Sequence, residues 1–535
     1  MIKGKNSNSK ITIYIDLVEN KLNFFTRSVI VSLLIIASIA LLLRLLFFEL
    51  DIPIRQDALG YFWHANDMSI LKNFIPISHA NNGWPIFLSI FFSIFHFDNL
   101  VDYMILQRAV TMAISTLTII PVYLLCSRFF NKSYSLIGAA LFVLEPHIIQ
   151  NSLLGLTEPL YIFLGIGSLA LFLSNNKNVI YISFGIAALC TLIRAEGIVL
   201  LPIFSIMFFV RYRKEKRVIE KYLLSLSIFG IILFSMALIN IQNSGGDGTT
   251  GHISEMTLGT LKDPQKNLIT SQNFIKSTET LTKRLVQSMI PYFALFVPFG
   301  TLLIFKNRNH QMTCIILIII AYFVVALRIF FVAYDLRYIF FLYPLFCILS
   351  VFTIKHLVDS FSNKNIFFIL LICGITLLSW FFLYNTANIE YEKEAFRFAT
   401  YLVGNILVVN NFYPESGYIY AAWASSQLTF PILSSSATYT GPEALDYIKD
   451  SFDYLEKHAN SVEEYIKLSR DQGLTHLVLD GNENRASYFR DAFYNEEKYP
   501  YLVKEFDSRE NAYKYYYVKV FKINYSLFDS VEHSK

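Results

Sequence analysis

Between Ser28 and Tyr384 the chain returns repeatedly to runs of about twenty residues made almost wholly of Leu, Ile, Phe, Val, Ala and Ser. A helix of that length crosses about 30 Å of hydrocarbon, and helices and closed barrels alone satisfy every backbone group there. About eleven such runs can be counted, at residues 28–50, 101–126, 133–151, 157–175, 178–194, 196–211, 221–241, 286–306, 311–332, 337–356 and 365–385. They predict an α-helical polytopic membrane protein. Composition agrees, with 54% hydrophobic and only 16% charged residues, outside the range of an ordinary soluble chain. The first run is too long for a signal-peptide core, so it is expected to be a retained helix behind a polar leader, residues 1–27.

The stretch "GWPIFLSIFFSIFHF" (83–97) is shorter, and some 14 helical residues reach only about 21 Å. Charge decides its role. If it lies at the interface, Lys3, Lys5, Lys10 and Lys21, then Arg128 and Lys132, then "RYRKEKR" (211–217), "KNRN" (306–309), Lys355 and Lys364 all fall on one face, as the positive-inside tendency requires. If it spanned, the later clusters would face outward while the leader stayed inside. Interfacial helices are therefore expected in a first outside loop, 51–100, with a second long outside loop at 242–285. The net charge is only +4 and its basic residues sit in these short clusters, so no nucleic-acid partner is implied.

Residues 386–535 differ from all that precedes them: they are polar and tyrosine-rich. Apolar stretches such as "HLVLD" and "YIYAA" lead into helical patterns, which predicts a small α/β domain, placed outside after an odd number of spans. The five cysteines (126, 190, 314, 347 and 373) lie in apolar runs with no CxxC pair, so they offer neither a disulfide framework nor a metal site. "SGGDGTTG" (244–251) lacks the lysine of a phosphate-binding loop and is expected to be flexible.

The outside segments collect ionisable residues at helix ends. "RQDALGYFWHANDM" (55–68) is expected to be an amphipathic helix, with Asp57, Tyr61 and His64 on one face at i, i+4 and i+7. Asp57 could equally be a helix cap. "EPHIIQNSLLGLTEPLY" (145–161) carries Glu145, His147 and Glu158, the last in a first turn where the helix dipole alone favours an acid. "LIRAEG" (192–197) turns with almost no loop, and its Arg194 and Glu196 could pair with each other. "AYDLRYIFFLYP" (333–344) puts Arg337 at the mouth of a span, while Arg44, Arg108 and Arg328 lie within span limits or close to them. Arginines at that depth need an anion, and either a lipid-linked phosphate or an ordinary headgroup would serve.

In their order and sidedness, "RQDALGY", "GWPIFLSIFF", "TEPLY", "LIRAEG" and "RYIFFLYP" resemble GT-C glycosyltransferases, the protein O-mannosyltransferase and lipid A aminoarabinose transferase group above all. The similarity covers roughly residues 28–385. It implies a polyprenyl-phosphate sugar donor, an outward-facing active site, and Asp57 as catalytic base. Where the mannosyltransferases usually carry Asp-Glu this chain has "DALGY", and a paired acid motif of the oligosaccharyltransferase type is not evident in the second outside loop. A divalent ion (Mg or Mn) is a candidate cofactor, with Asp57, Glu158 and His147 as candidate ligands.

Chemistry alone leads to a compatible expectation. An outward-facing site has no pool of nucleotide sugars, so the activated sugar must arrive on a lipid. Displacing phosphate from an anomeric carbon needs a carboxylate for the acceptor's proton and cations for the leaving group. Asp57 suits the first role and Arg194 and Arg337 the second, with Tyr61, His64, Glu158 and Glu196 binding sugar or acceptor. The acceptor is a hydroxyl of a protein, lipid or glycan. Two alternatives stand: a polymerase or ligase of lipid-linked glycans, and a non-enzymatic lipid or solute transporter.

Overall fold

The computed structural model describes residues 26–50, 52, 54, 57–69, 82–97, 100–244, 271–304, 309–329, 335–358, 363–386, 389–405, 458–471, 473–481 and 485–533. Two compact units result. One comprises Met1–Phe48, His64–His96 and Leu106–Thr386; the other comprises Glu49–Trp63, Phe97–Ile105 and Ala387–Lys535.

Every expected apolar run contains helix. Among the described residues, seven helices are long and apolar enough to cross a membrane, and a bent pair, Ile275–Met289 with Phe293–Ile304, turns through 108° and would make an eighth. The runs at 157–175 and 178–194 hold shorter helices, Glu158–Phe172 and Ile180–Ile193. The run at 133–151 is broken. Lys132–Val143 ends, and Glu145 adopts extended backbone and accepts a hydrogen bond from the N–H of Ile148 at 2.8 Å, capping a new helix Pro146–Ser152. Proline in the first turn suits such a start, because its missing N–H has no partner there in any case. Helix Gly83–Ile94 has 12 residues, a rise of about 18 Å, and buries Trp84, Leu88 and Phe92.

Close approach of helices depends on small residues. A Cβ on Gly300 would overlap the carbonyl of Leu349, so helices Phe293–Ile304 and Tyr343–Val358 touch backbone to backbone at that point. Two arginines expected to reach outward for an anion are instead spent inside the first unit. Arg44 is wholly buried and donates to Ser152 Oγ (3.1 Å), Ser115 Oγ (2.8 Å) and the carbonyls of Ala40 and Val143 (both 3.0 Å). Arg108 donates to the carbonyl of Leu153 at 2.8 Å and lies 4.3 Å from the ring centre of Phe48. A buried guanidinium is tolerable only with such a full set of acceptors.

In the second unit, strands β1 (His476–Asp480), β2 (Leu502–Asp507) and β3 (Val518–Ile523) form an antiparallel sheet in the order β1-β3-β2. Alternation covers both of its faces. Leu477, Leu479, Phe521 and Ile523 pack with Tyr465, Phe489 and Phe493, whereas Val478, Val518 and Val520 pack with Phe398, Phe506 and Tyr516. Glu394, on helix Ile389–Asn405, accepts from the N–H groups of Lys514, Tyr515 and Tyr516 at 2.8–2.9 Å. Helix Ser487–Tyr494 follows "HLVLD" as expected, but β2 and β3 succeed each other with no helix between them, and every strand pair is antiparallel, so the expected alternation of strands and helices does not extend through the sheet. "YIYAA" and most of "SGGDGTTG" fall outside the described residues, as do Arg55 and most of the leader.

Candidate active site

Three separate stretches of the first unit meet in one charged cluster. Glu158 opens helix Glu158–Phe172 directly after Thr157. Helix Ile180–Ile193 ends at Arg194, whose backbone is extended, and the 3-10 turn Ala195–Val199 follows at once. Gly197 permits the reversal: a Cβ there would come within 2.9 Å of the backbone of Thr191. The reversal brings Arg194 and Glu196 back to back with Glu158. Farther along, Asp335 caps the 3-10 helix Leu336–Leu342 by accepting from the N–H of Arg337 at 3.1 Å.

Arg194 is the centre of the cluster. Its Nη2 and Nε meet the two carboxylate oxygens of Glu196 at 2.9 and 3.4 Å, while Nη1 reaches Glu158 Oε1 at 2.5 Å and Thr157 Oγ1 at 3.3 Å. Its guanidinium carbon also lies 4.9 Å from the ring centre of Tyr338. Burying an ion costs several kcal/mol, so a guanidinium left here without partners would be strongly destabilising, and the two carboxylates within hydrogen-bond reach offset that cost. Arg337 stands on the outer side, with its Nε 2.7 Å from Asp335 Oδ2 and 4.0 Å from Glu158 Oε1. Its side chain is 17% exposed, against 2% for Glu158.

These four residues line a narrow cleft with Tyr161 and Tyr322, whose hydroxyls are hydrogen-bonded to each other. Glu158 keeps one acceptor in reserve: its Oε2 is buried and has no hydrogen-bond partner among the described residues. A buried carboxylate oxygen left this way costs about 1–3 kcal/mol or more, which a donor such as a hydroxyl would restore.

The expected residues thus divide. Glu158, Arg194, Glu196 and Arg337 come together. Asp57 and Tyr61 belong to the other unit, at the start of helix Asp57–Ser69, whose buried side carries Ala58, Leu59, Phe62 and Ala65. Asp57 is exposed and Tyr61 and His64 are half-buried, on the side of that helix away from its buried residues. Glu145 and His147 bind each other at 2.8 Å. Among the described residues no three His, Cys, Asp or Glu side chains gather as a metal ion requires, so no resident metal site is assigned to Asp57, Glu158 or His147. Tyr161, Tyr322 and Tyr338 were not anticipated. Tyr161 lies in "TEPLY" at i+3 from Glu158 and could have been found by helical spacing, whereas Tyr322 arrives from a distant helix.

Neither a family model nor a curated protein matches the chain. Solved structures do. The Archaeoglobus fulgidus oligosaccharyltransferase AglB, solved with an inhibitory peptide and a dolichol-phosphate, aligns over 89% of this chain and 72% of its own at 15% identity and a TM-score of 0.54. The same enzyme tethered to an acceptor peptide with an NVT sequon aligns over 90% and 73% at 14% identity and a TM-score of 0.56. ArnT from Cupriavidus metallidurans, bound to undecaprenyl phosphate, aligns over 91% of this chain and 97% of its own at 10% identity and a TM-score of 0.54. The fold is that of the GT-C glycosyltransferases. A GT-C fold and its apolar helices make the chain an integral membrane protein. Against ArnT nearly the whole of both chains takes part, so the GT-C likeness reaches beyond the transmembrane helices.

Proposed function

We propose that the chain is a membrane glycosyltransferase that moves a sugar from a polyprenyl-phosphate donor to a hydroxyl of a protein, lipid or glycan acceptor, on the extracytoplasmic or lumenal face. The observation that carries this reading is the cleft around Glu158, where a carboxylate oxygen lacks a donor and a partly exposed arginine stands beside it, on a GT-C fold. The two kinds of neighbour each hold a polyprenyl-type phosphate, which supports that donor class.

In the proposed reaction the acceptor oxygen attacks the anomeric carbon. The bond from that carbon to the phosphate oxygen breaks, the polyprenyl phosphate leaves with its electron pair, and the acceptor proton passes to a carboxylate. One displacement inverts the anomeric configuration. Asp57 is assigned as the base on chemical grounds: it is an exposed carboxylate opening a helix that also carries Tyr61 and His64 for acceptor or sugar contacts. Arg337 is assigned to the leaving phosphate, because a guanidinium matches phosphate oxygens with a two-pronged fork. Arg194 spends its fork on Glu158 and Glu196, so it acts as a positioning residue that holds both carboxylates in place. Glu158 Oε2 then accepts from a sugar hydroxyl.

The test is an assay of the purified chain with a polyprenyl-phosphate sugar and, separately, a polyprenyl-diphosphate glycan. Sugar release from the monophosphate alone is expected. Release from the diphosphate glycan alone would make the protein a polymerase or ligase. Passage of either lipid across a vesicle without release would make it a transporter.

A further inference from the structure

We propose that the cleft beside Glu158 reads one hydroxyl of the donor sugar, the one on its exocyclic hydroxymethyl arm, so that the donor is a polyprenyl-phosphate hexose, an assignment that rests on the transferase reading and deepens it. The void left in the cleft is about 10 Å³, room for about one oxygen-sized group and far too little for a sugar ring. Ile162, Val325 and Phe341 give it apolar walls.

The chemistry of the entering group follows from what the cleft lacks. Tyr161 and Tyr322 hydrogen-bond each other and Arg194 holds Glu158 Oε1, whereas Glu158 Oε2 is buried with no partner among the described residues. A carboxylate oxygen paired with a guanidinium accepts and does not donate, so the group that enters must bring a hydrogen. Charge selects among such groups. Glu158 and Glu196 stand against Arg194 and Arg337, and the four charges that line the cleft sum to zero. An ammonium would leave a net positive charge in a buried place and a second carboxylate a net negative one, each costly; a hydroxyl keeps the balance.

Reach identifies which hydroxyl. Arg337 is the more exposed of the two and Glu158 the more buried, so the arginine marks the mouth and the carboxylate the depth. Arg337 Nε lies 4.0 Å from Glu158 Oε1, and with the leaving phosphate at Arg337 the anomeric carbon stands at that mouth. In a hexopyranose the anomeric carbon and the carbon bearing the hydroxymethyl group flank the ring oxygen, so the arm starts beside the phosphate. Its methylene suits the apolar walls and carries the hydroxyl one bond farther than any hydroxyl set directly on the ring. A ring hydroxyl, even the one next to the anomeric carbon, would need the ring itself inside a void that holds one group.

Binding and turnover of polyprenyl-phosphate mannose, glucose and galactose by the purified full-length chain, each beside its 6-deoxy analogue, test this. At least one hexose should bind, and its 6-deoxy analogue should bind and react about 10- to 100-fold less well, the loss of one hydrogen bond to a buried carboxylate. The 6-amino-6-deoxy sugar and the uronic acid should do no better than the 6-deoxy sugar. Values within about threefold for a hexose and its 6-deoxy analogue overturn the proposal and leave water as the occupant of the cleft. Tighter binding of the amino or carboxyl sugar overturns it as well, as does binding of none of the three hexoses. Transfer without discrimination removes the cleft's role and leaves the transferase standing, whereas discrimination in binding without sugar release does the reverse. Glu158→Gln turns an amide toward the arm and should bring the ratio of hexose to 6-deoxy sugar below about threefold; a ratio as large as the parent's would overturn the assignment to Glu158. The comparison of donors on the parent stands without this variant, whose weakened bond to Arg194 lowers its stability.

Discussion

Asp57 and Arg337 are each assigned one chemical task, and conservative substitutions separate the task from the fold. Asp57→Asn is nearly isosteric but cannot take a proton, so turnover should fall about 10²- to 10⁴-fold with thermal unfolding unchanged. Turnover near the parent's would return Asp57 to a plain helix cap. Arg337 and Arg194 should differ in kind. Arg337→Ala should weaken binding of a polyprenyl-phosphate sugar in detergent and Arg337→Lys should restore it in part, because an ammonium supplies charge without the fork. Arg194→Ala should unfold the protein more readily, by about 3–5 kcal/mol, because it strands two buried carboxylates. Equal donor affinity of parent, Arg337→Ala and Arg337→Lys would remove Arg337 from the site. All four members of the cluster were visible as residue types at span ends, and so was the pairing of Arg194 with Glu196, but Glu158 as the partner of Arg194 was not. Whether Arg194 meets a headgroup or Glu158 depends on how two consecutive helices, Glu158–Phe172 and Ile180–Ile193, pack so that residues 36 apart in sequence meet. Arg44 and Arg108 show the same limit: hydropathy alone does not reveal that Ser115, Ser152 and the Leu153 carbonyl lie within reach.

At the scale of helices, apolar runs were legible because bilayer thickness imposes one length on them, whereas the breaks inside them follow from single residues. Glu145 and Pro146 divide the run at 133–151, and the 108° turn between Met289 and Phe293 divides the region at 286–306. Backbone contact between helices is equally local. Gly300→Ala should cost about 1–3 kcal/mol by overpacking, since the added methyl overlaps the Leu349 carbonyl. Gly230→Ala is the control, because a Cβ there meets nothing within 4 Å. Thermal unfolding of the two variants in detergent checks the contrast, and a Gly300→Ala protein as stable as Gly230→Ala would show that these helices pack farther apart.

For the molecule as a whole, the proposed sidedness puts Gly60 and Glu510 on one membrane face and Lys214 on the other. In a cysteine-free background, single cysteines at those three positions should react with an impermeant maleimide in intact cells at 60 and 510 and not at 214; labelling of 214 together with 510 would sink this arrangement. Helices Glu158–Phe172 and Ile180–Ile193 add a constraint of another kind. Their 15 and 14 residues reach only about 21–23 Å, some 7–9 Å less than the hydrocarbon they stand in. With the turn that joins them held at one interface, Glu158 and Arg194 end below the opposite headgroup plane. A donor phosphate would then have to sink out of its own leaflet to be seized, dragging its tail deeper, and hydrophobic mismatch would set the work of that descent. In bilayers of longer acyl chains the descent lengthens, so lipid thickness should act on donor capture as a throttle, lowering kcat/KM for the lipid-linked sugar while leaving KM for the acceptor untouched.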